Sequence, residues 1–206
     1  MWQSFTRFPV LIICLFAAGC SGVPQLSDQT DDESPVVAPG AQRDFAEITA
    51  LIEGGELGDA TIRLERFIAR NSDFPGAYTT LAIVYTEQGR VEDALKAIDI
   101  ALSINPQFAP AHNQLGVLKR REGDFAGAEQ AWQAAIAADP QYAYAWHNLG
   151  VLYDLYLSDL PAALEHYEQY QALASGETGQ AERWIADLKR RIDTQPRAAR
   201  NDEVTP

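Results

Sequence analysis

The chain has 206 residues, 47% of them hydrophobic, enough for a buried core in one or two ordinary domains. Its formal net charge is −13, with no Lys-rich or Arg-rich run, which argues against a nucleic-acid partner because phosphate binding needs a basic footprint. Both cysteines, Cys14 and Cys20, lie at the front, so the body has no thiol for a disulfide, a nucleophile or a cysteine metal site.

Residues 1–19 read as an export signal. Arg7 and the terminal amine make a basic start, and Phe8 to Ala18 is an apolar run of 11 residues. That is well short of the ~20 residues that span a bilayer. Ala17-Ala18-Gly19-Cys20 resembles the lipobox of bacterial lipoproteins, with Ala17 where that family usually has Leu. The resemblance implies removal of residues 1–19 and a lipid-modified Cys20 at the mature N-terminus. Each buried methylene contributes ~0.8 kcal/mol, so the two or three acyl chains this family carries make a lasting membrane anchor. Ser21, not Asp, follows Cys20; in enteric-type sorting that implies an outer-membrane address, with the body facing the periplasm. From Cys20 to Gln42 the chain holds Pro24, Pro35 and Pro39 and the acidic group Asp28, Asp31, Asp32 and Glu33, without apolar periodicity. This is the composition of a disordered tether.

Beyond it, three segments superimpose at a spacing of 34 residues: Gly55, Gly89 and Gly123 share one slot, and Ala60, Ala94 and Ala128 another. A strict period of this length means stacked repeats. Counted from Pro75, Tyr78, Leu81, Ala82, Tyr85, Gly89, Ala94, Ile98, Ala101 and Pro106 occupy slots 4, 7, 8, 11, 15, 20, 24, 27 and 32. The copy from Ala109 puts His112, Leu115, Gly116, Lys119, Gly123, Ala128, Trp132, Ala135 and Pro140 there, and the copy from Ala143 begins Trp146, Leu149, Gly150, Tyr153. Slots 4, 7 and 11 give helix A its buried stripe, small residues at slots 8 and 20 let helices A and B approach, and Gly at slot 15 ends helix A. Asn105-Pro106 and Asp139-Pro140 stop helix B.

This pattern resembles the tetratricopeptide repeat (TPR). The resemblance implies an all-α, right-handed α-solenoid of about four helix-turn-helix repeats, 41–74, 75–108, 109–142 and 143–176, in a domain spanning 43–176. The first copy is degenerate, with Asp44 at slot 4, as suits a terminal repeat. In the fourth, the loop Leu157-Ser158-Asp159 has one extra residue, and Ala163 and Tyr167 fall one position late. Ala181, Trp184, Ile185, Leu188 and Ile192 then mark an amphipathic helix over 177–195 that caps the stack or docks a partner helix. Residues 196–206 read as a polar disordered tail.

The TPR resemblance implies a concave groove lined by slots 2, 5, 6, 9, 12 and 13 of helix A. Those slots hold Thr79, Thr80, Ile83, Thr86 and Glu87; then Asn113, Gln114, Val117, Arg120 and Arg121; then Tyr144, His147, Asn148, Val151, Asp154 and Leu155. Asn148 resembles the asparagines with which such domains hold a peptide backbone, since an amide both donates and accepts; Gln114 is a looser match. Arg120 and Arg121 suit a partner's carboxylate, and equally suit the last turn of a helix. The family's chaperone-tail carboxylate clamp is incomplete here. His112 stands at a core slot and is expected to pack there.

No metal spacing, nucleophile elbow or phosphate loop is present, so no cofactor, metal or catalytic residue is expected. The expected function is that of a non-enzymatic scaffold gripping an envelope protein or peptide. Two alternatives belong to other classes: a hydrolase using Glu165 with His166 or His147 with Asp154, and a self-assembling structural protein.

Overall fold

The computed structural model describes residues 39–174 and 179–202. The expected signal, Cys20, most of the tether and the last four residues lie outside the described residues. The body is all-α: α1 (Pro39–Glu53), α2 (Leu57–Ile68), α3 (Pro75–Glu87), α4 (Val91–Ile104), α5 (Ala109–Arg121), α6 (Phe125–Ala138), α7 (Ala143–Leu152), α8 (Leu160–Leu173) and α9 (Gly179–Asp202). Odd helices through α7 are the A helices of four repeats and even helices the B helices. Each B helix packs on the next A helix, and α3, α5 and α7 also pack on one another.

The turn between A and B is built the same way three times. Gly55, Gly89 and Gly123 have φ of +76°, +74° and +81°, left-handed values that cost an L side chain but not glycine. The following amide closes the helix on the slot-11 carbonyl: Glu56 on Leu51, Arg90 on Tyr85 and Asp124 on Lys119, at 2.8–2.9 Å. The fourth repeat absorbs its extra residue as a π-helical turn, Tyr153–Leu157. Ser158 takes the left-handed position at φ 57°, and Asp159 N donates to the same slot-11 carbonyl, of Tyr153, at 2.9 Å. Register is thus restored within one turn. Asp124 and Asp159 then cap α6 and α8 by accepting from Gly127 N and Ala162 N.

Slots 8 and 24 are complementary in size. Ala82 pairs with Ile98, whereas Gly116 and Gly150 leave room for Trp132 and Tyr167, whose rings would lie 2.5 Å from a Cβ at either glycine. Repeat 1 packs on a rotated face. Phe45, at a slot expected to line the groove, lies edge-on to Phe67 and Phe74 at 5.6 and 5.8 Å, and Ile48 is fully buried at slot 8. Glu47 at slot 7 cannot enter a core, so the helix turns its Phe45–Ile48 edge inward.

Two boundaries and one residue differ from expectation. α1 starts at Pro39, four residues inside the expected tether, because proline suits the first turn of a helix. α9 runs to Asp202, past the expected end at Gln195 and into the expected disordered tail, with Pro196 inside it. α9 packs on α8 as each B helix packs on the next A helix, with Ile185 and Leu188 buried. His112 is half-buried, not in the core: its Nε2 lies 2.8 Å from the Pro106 carbonyl. Trp146 in the same slot donates to Pro140 O at 3.1 Å. Both rings reach the carbonyl of the preceding proline turn.

Candidate functional site

The candidate surface is the face shared by α3, α5 and α7. Its polar side chains largely bond across from one A helix to the next. Gln114 is 7% exposed, and its Nε2 donates to Thr86 Oγ1 at 3.0 Å. Arg121 spans the same gap, with Nη1 on Thr86 O at 3.2 Å and Nη2 on Glu87 Oε1 at 2.6 Å. Asn148 Nδ2 donates to Asn113 Oδ1 at 2.8 Å. Arg120 Nη1 donates to Tyr156 Oη at 2.8 Å, its guanidinium 5.5 Å from that ring's centroid. Asp154 is engaged by Arg191 of α9 at 2.7 Å, and its side chain is only 12% exposed.

The expected groove is therefore narrower than the slots imply. Thr79 is buried, with Oγ1 donating to Pro75 O at 3.0 Å, and Thr80 donates to Gly76 O at 2.9 Å. Val117 and Val151 are half-buried against the core. Ile83 and Tyr144 face outward, at 38% and 64% exposure. His147 does not line an open groove beside Asp154. Its ring lies among Tyr170 at 5.1 Å, Trp184 at 5.3 Å and Tyr167 at 6.2 Å. α9 supplies Trp184 to this cluster and Arg191 to Asp154, so it covers the end of the face that a sequence pattern leaves open.

Burial, with a smaller push from Arg120, holds the His147 pKa below the usual histidine value, against a hydrogen bond to Asn148 that raises it. Burial also lowers that of His166, against its carboxylate neighbours. Neither proposed acid–base pair is assembled: Asp154 belongs to Arg191, and His166 packs on Trp146 and Tyr153 with Glu165 exposed. Burial and then Glu129 push the Tyr153 phenol up to about 12, so it stays a donor to Glu129 Oε1, at 2.5 Å. Sequence reasoning missed Tyr156, which lies in the inserted turn and in no repeat slot. Its ring is 4.9 Å from Phe125, and the turn exposes Leu155 and Leu157 beside it. The run Tyr153-Asp154-Leu155-Tyr156-Leu157 was the available sign, being too apolar for an ordinary loop.

The tetratricopeptide repeat family model matches residues 45–109 and 113–178. The chain belongs to that family, and with it to a class of non-catalytic protein-interaction scaffolds. Among solved structures, it is similar to TTC0263, a thermophilic TPR protein in Thermus thermophilus, at 23% identity over 76% of this chain and 84% of that one, with a TM-score of 0.64. It is similar to Pseudomonas aeruginosa pilF at 18% identity over 74% and 69% of the two chains, TM-score 0.64. MamA from Desulfovibrio magneticus RS-1 follows at 20% identity over 79% and 91%, TM-score 0.56. At these identities the likeness is one of fold. No curated protein sequence matches the chain.

Proposed function

We propose that this chain is a lipid-anchored adaptor of a bacterial envelope, held through Cys20 at the outer membrane, whose A-helix face binds an extended peptide or partner helix in the periplasm. The observation that carries this reading is the ladder of bonds joining α3, α5 and α7: Gln114 to Thr86, Arg121 to Glu87, Asn148 to Asn113. It holds the face in shape before a partner arrives, so binding loses little receptor entropy. Ile83 supplies exposed apolar area, and Tyr144 an amphipathic ring of the kind enriched in binding sites.

The anchor reading rests on Ala18-Gly19-Cys20 behind an 11-residue apolar run. Envelope machines served by small TPR lipoproteins fit it: pilus secretin assembly, peptidoglycan hydrolase scaffolding, and accessories of TonB and ExbB type. Two experiments test the proposal. Palmitate labelling should vanish in Cys20→Ala; labelling that persists removes the anchor. Photoreactive groups at Ile83 and Tyr144 should capture an envelope protein that a group at Ile62 on α2 misses. Equal capture from both positions removes the A-helix face.

A further inference from the structure

Tyr144 of the A-helix face also lines a pocket of about 320 Å³ between the start of α7 and the end of α8, together with Asp139, Tyr142, Tyr170 and Leu173. The Tyr142 and Tyr144 rings lie 5.8 Å apart at 59°. Tyr144 is 64% exposed, so its ring is open to solvent. Tyr170 packs on His147, with the ring centres 5.1 Å apart.

Three of these residues depart together from the earlier copies. The positions of Asp139, Tyr144 and Tyr170 are held by Asn71, Gly76 and Ala101 one copy earlier in the stack, and by Asn105, Pro110 and Ala135 in the copy between, allowing for the extra residue of the fourth loop. The turn itself needs only a side-chain oxygen: Asn105 Oδ1 accepts from Gln107 N and Asp139 Oδ1 from Gln141 N, each at 2.9 Å. The negative charge of Asp139 is thus surplus to the turn. The exposed Tyr144 ring is likewise surplus to the core. Two rings and one charge, where the other copies have small or neutral residues, converge on one cavity.

Charge and ring chemistry indicate the occupant. Among the described residues that line the pocket there is no Lys, Arg or His, and among the described residues none forms an ion pair with Asp139. Burial, then Tyr144 and Asp139, push the Tyr142 phenol up to about 12, so the ring stays neutral beside that carboxylate. The amino end of α7 and the carboxyl end of α8 both border the cavity. Their dipoles oppose each other there, which leaves the carboxylate as the deciding charge. An acidic group is repelled, and a purely apolar one would strip water from Asp139 without pairing it. A cation on an alkyl stem satisfies the rings, the carboxylate and Leu173 at once. We propose that this pocket takes one arginine or lysine side chain of the peptide bound along the A-helix face, its cation between Asp139 and the tyrosine rings. The assignment rests on that face being the binding face.

The probes are the end-blocked tripeptides Ala-Arg-Ala and Ala-Lys-Ala, titrated into the full-length chain and followed by its tyrosine ring resonances. They should bind at least about ten-fold, or ~1.4 kcal/mol, more tightly than the same tripeptide with uncharged norleucine at the centre. Asp139→Asn, which copies Asn105 and keeps the turn hydrogen bond, should weaken binding about three-fold or more while the thermal midpoint stays native. Tyr144→Ala should do the same through the lost ring face, again by about three-fold or more. Ile83→Glu, further along the same face, should leave tripeptide binding intact. Equal binding of the norleucine tripeptide, or binding undiminished in both pocket variants, overturns the proposal. So does tighter binding of phosphocholine than of either basic tripeptide, which would make a lipid headgroup the occupant. The two readings fail separately. Capture of an envelope protein from Ile83, with no preference for the basic tripeptides, overturns the pocket and keeps the face. Equal capture from Ile83 and Ile62 removes the face, and this occupant with it, whatever the tripeptides do.

Discussion

Replacing Gly116 with alanine should destabilise the protein although it improves the helix propensity of α5. A Cβ there would lie 2.5 Å from Trp132 Nε1 and 2.6 Å from Cε2. Trp132 is fully buried, and its Nε1 donates to Asn113 O at 3.1 Å, so the ring cannot retreat without losing packing and that bond. The propensity gain is roughly 0.5–1 kcal/mol. Overpacking costs about 1–3 kcal/mol, and a lost indole hydrogen bond ~1 kcal/mol more. The net expectation is a loss of ~1–3 kcal/mol. Gly58→Ala in α2 is the control, because nothing lies within 4 Å of its added Cβ; it should be neutral or slightly stabilising. The second repeat supplies the rescue, pairing Ala82 with Ile98 at the same two slots. Gly116→Ala with Trp132→Ile should therefore be more stable than the sum of the single changes by ~1 kcal/mol or more. Urea unfolding followed by far-UV circular dichroism measures the native chain, the control and the three variants of the cycle. A Gly116→Ala protein as stable as Gly58→Ala, or a cycle without coupling, refutes the size-matching of slots 8 and 24.

Ser158→Gly should stabilise the fourth repeat by ~1 kcal/mol, because Ser158 holds φ 57° where L side chains are strained; an unchanged urea midpoint counts against that strain. His147 and His166 both have lowered pKa values in the folded state, so the unfolded chain binds their protons first as pH falls. Stability from these two groups is full above the ordinary value of 6.5 and declines below it. The thermal midpoint of His166→Phe should accordingly fall less than that of the native chain between about pH 7.5 and about pH 5.5; parallel curves would show no such linkage. Arg191→Ala removes the 2.7 Å pair with Asp154 and should speed amide exchange in α9 and the Tyr153–Leu157 turn while leaving α3 and α4 slow. Uniform acceleration would mean that α9 holds the whole stack and not only its end.

How much of this could be read from the sequence depends on how local each constraint is. The left-handed glycines and the small residues at slots 8 and 20 are set by contacts within one repeat, so they recur in one chain at one spacing and are legible. The A-helix face is not. Whether Asn148 offers its amide to a peptide or to Asn113 depends on how close α7 lies to α5, and no motif in either helix encodes that distance. Repeat 1 fails for a related reason: with Glu47 in place of an apolar slot 7, the helix rotates until Phe45 meets Phe67 and Phe74, and the slot count no longer says which side is inward. The last helix shows the same limit from the other end. Its apolar spacing marked a helix that caps the stack or docks a partner, and only the packed structure shows that Trp184 closes around His147 and that Arg191 takes Asp154. The residues that looked most like an acid–base pair are thereby the ones that hold the array closed. In a solenoid each A helix is first a partner for the next, and a polar groove slot reaches a ligand only with the atoms its neighbour leaves free.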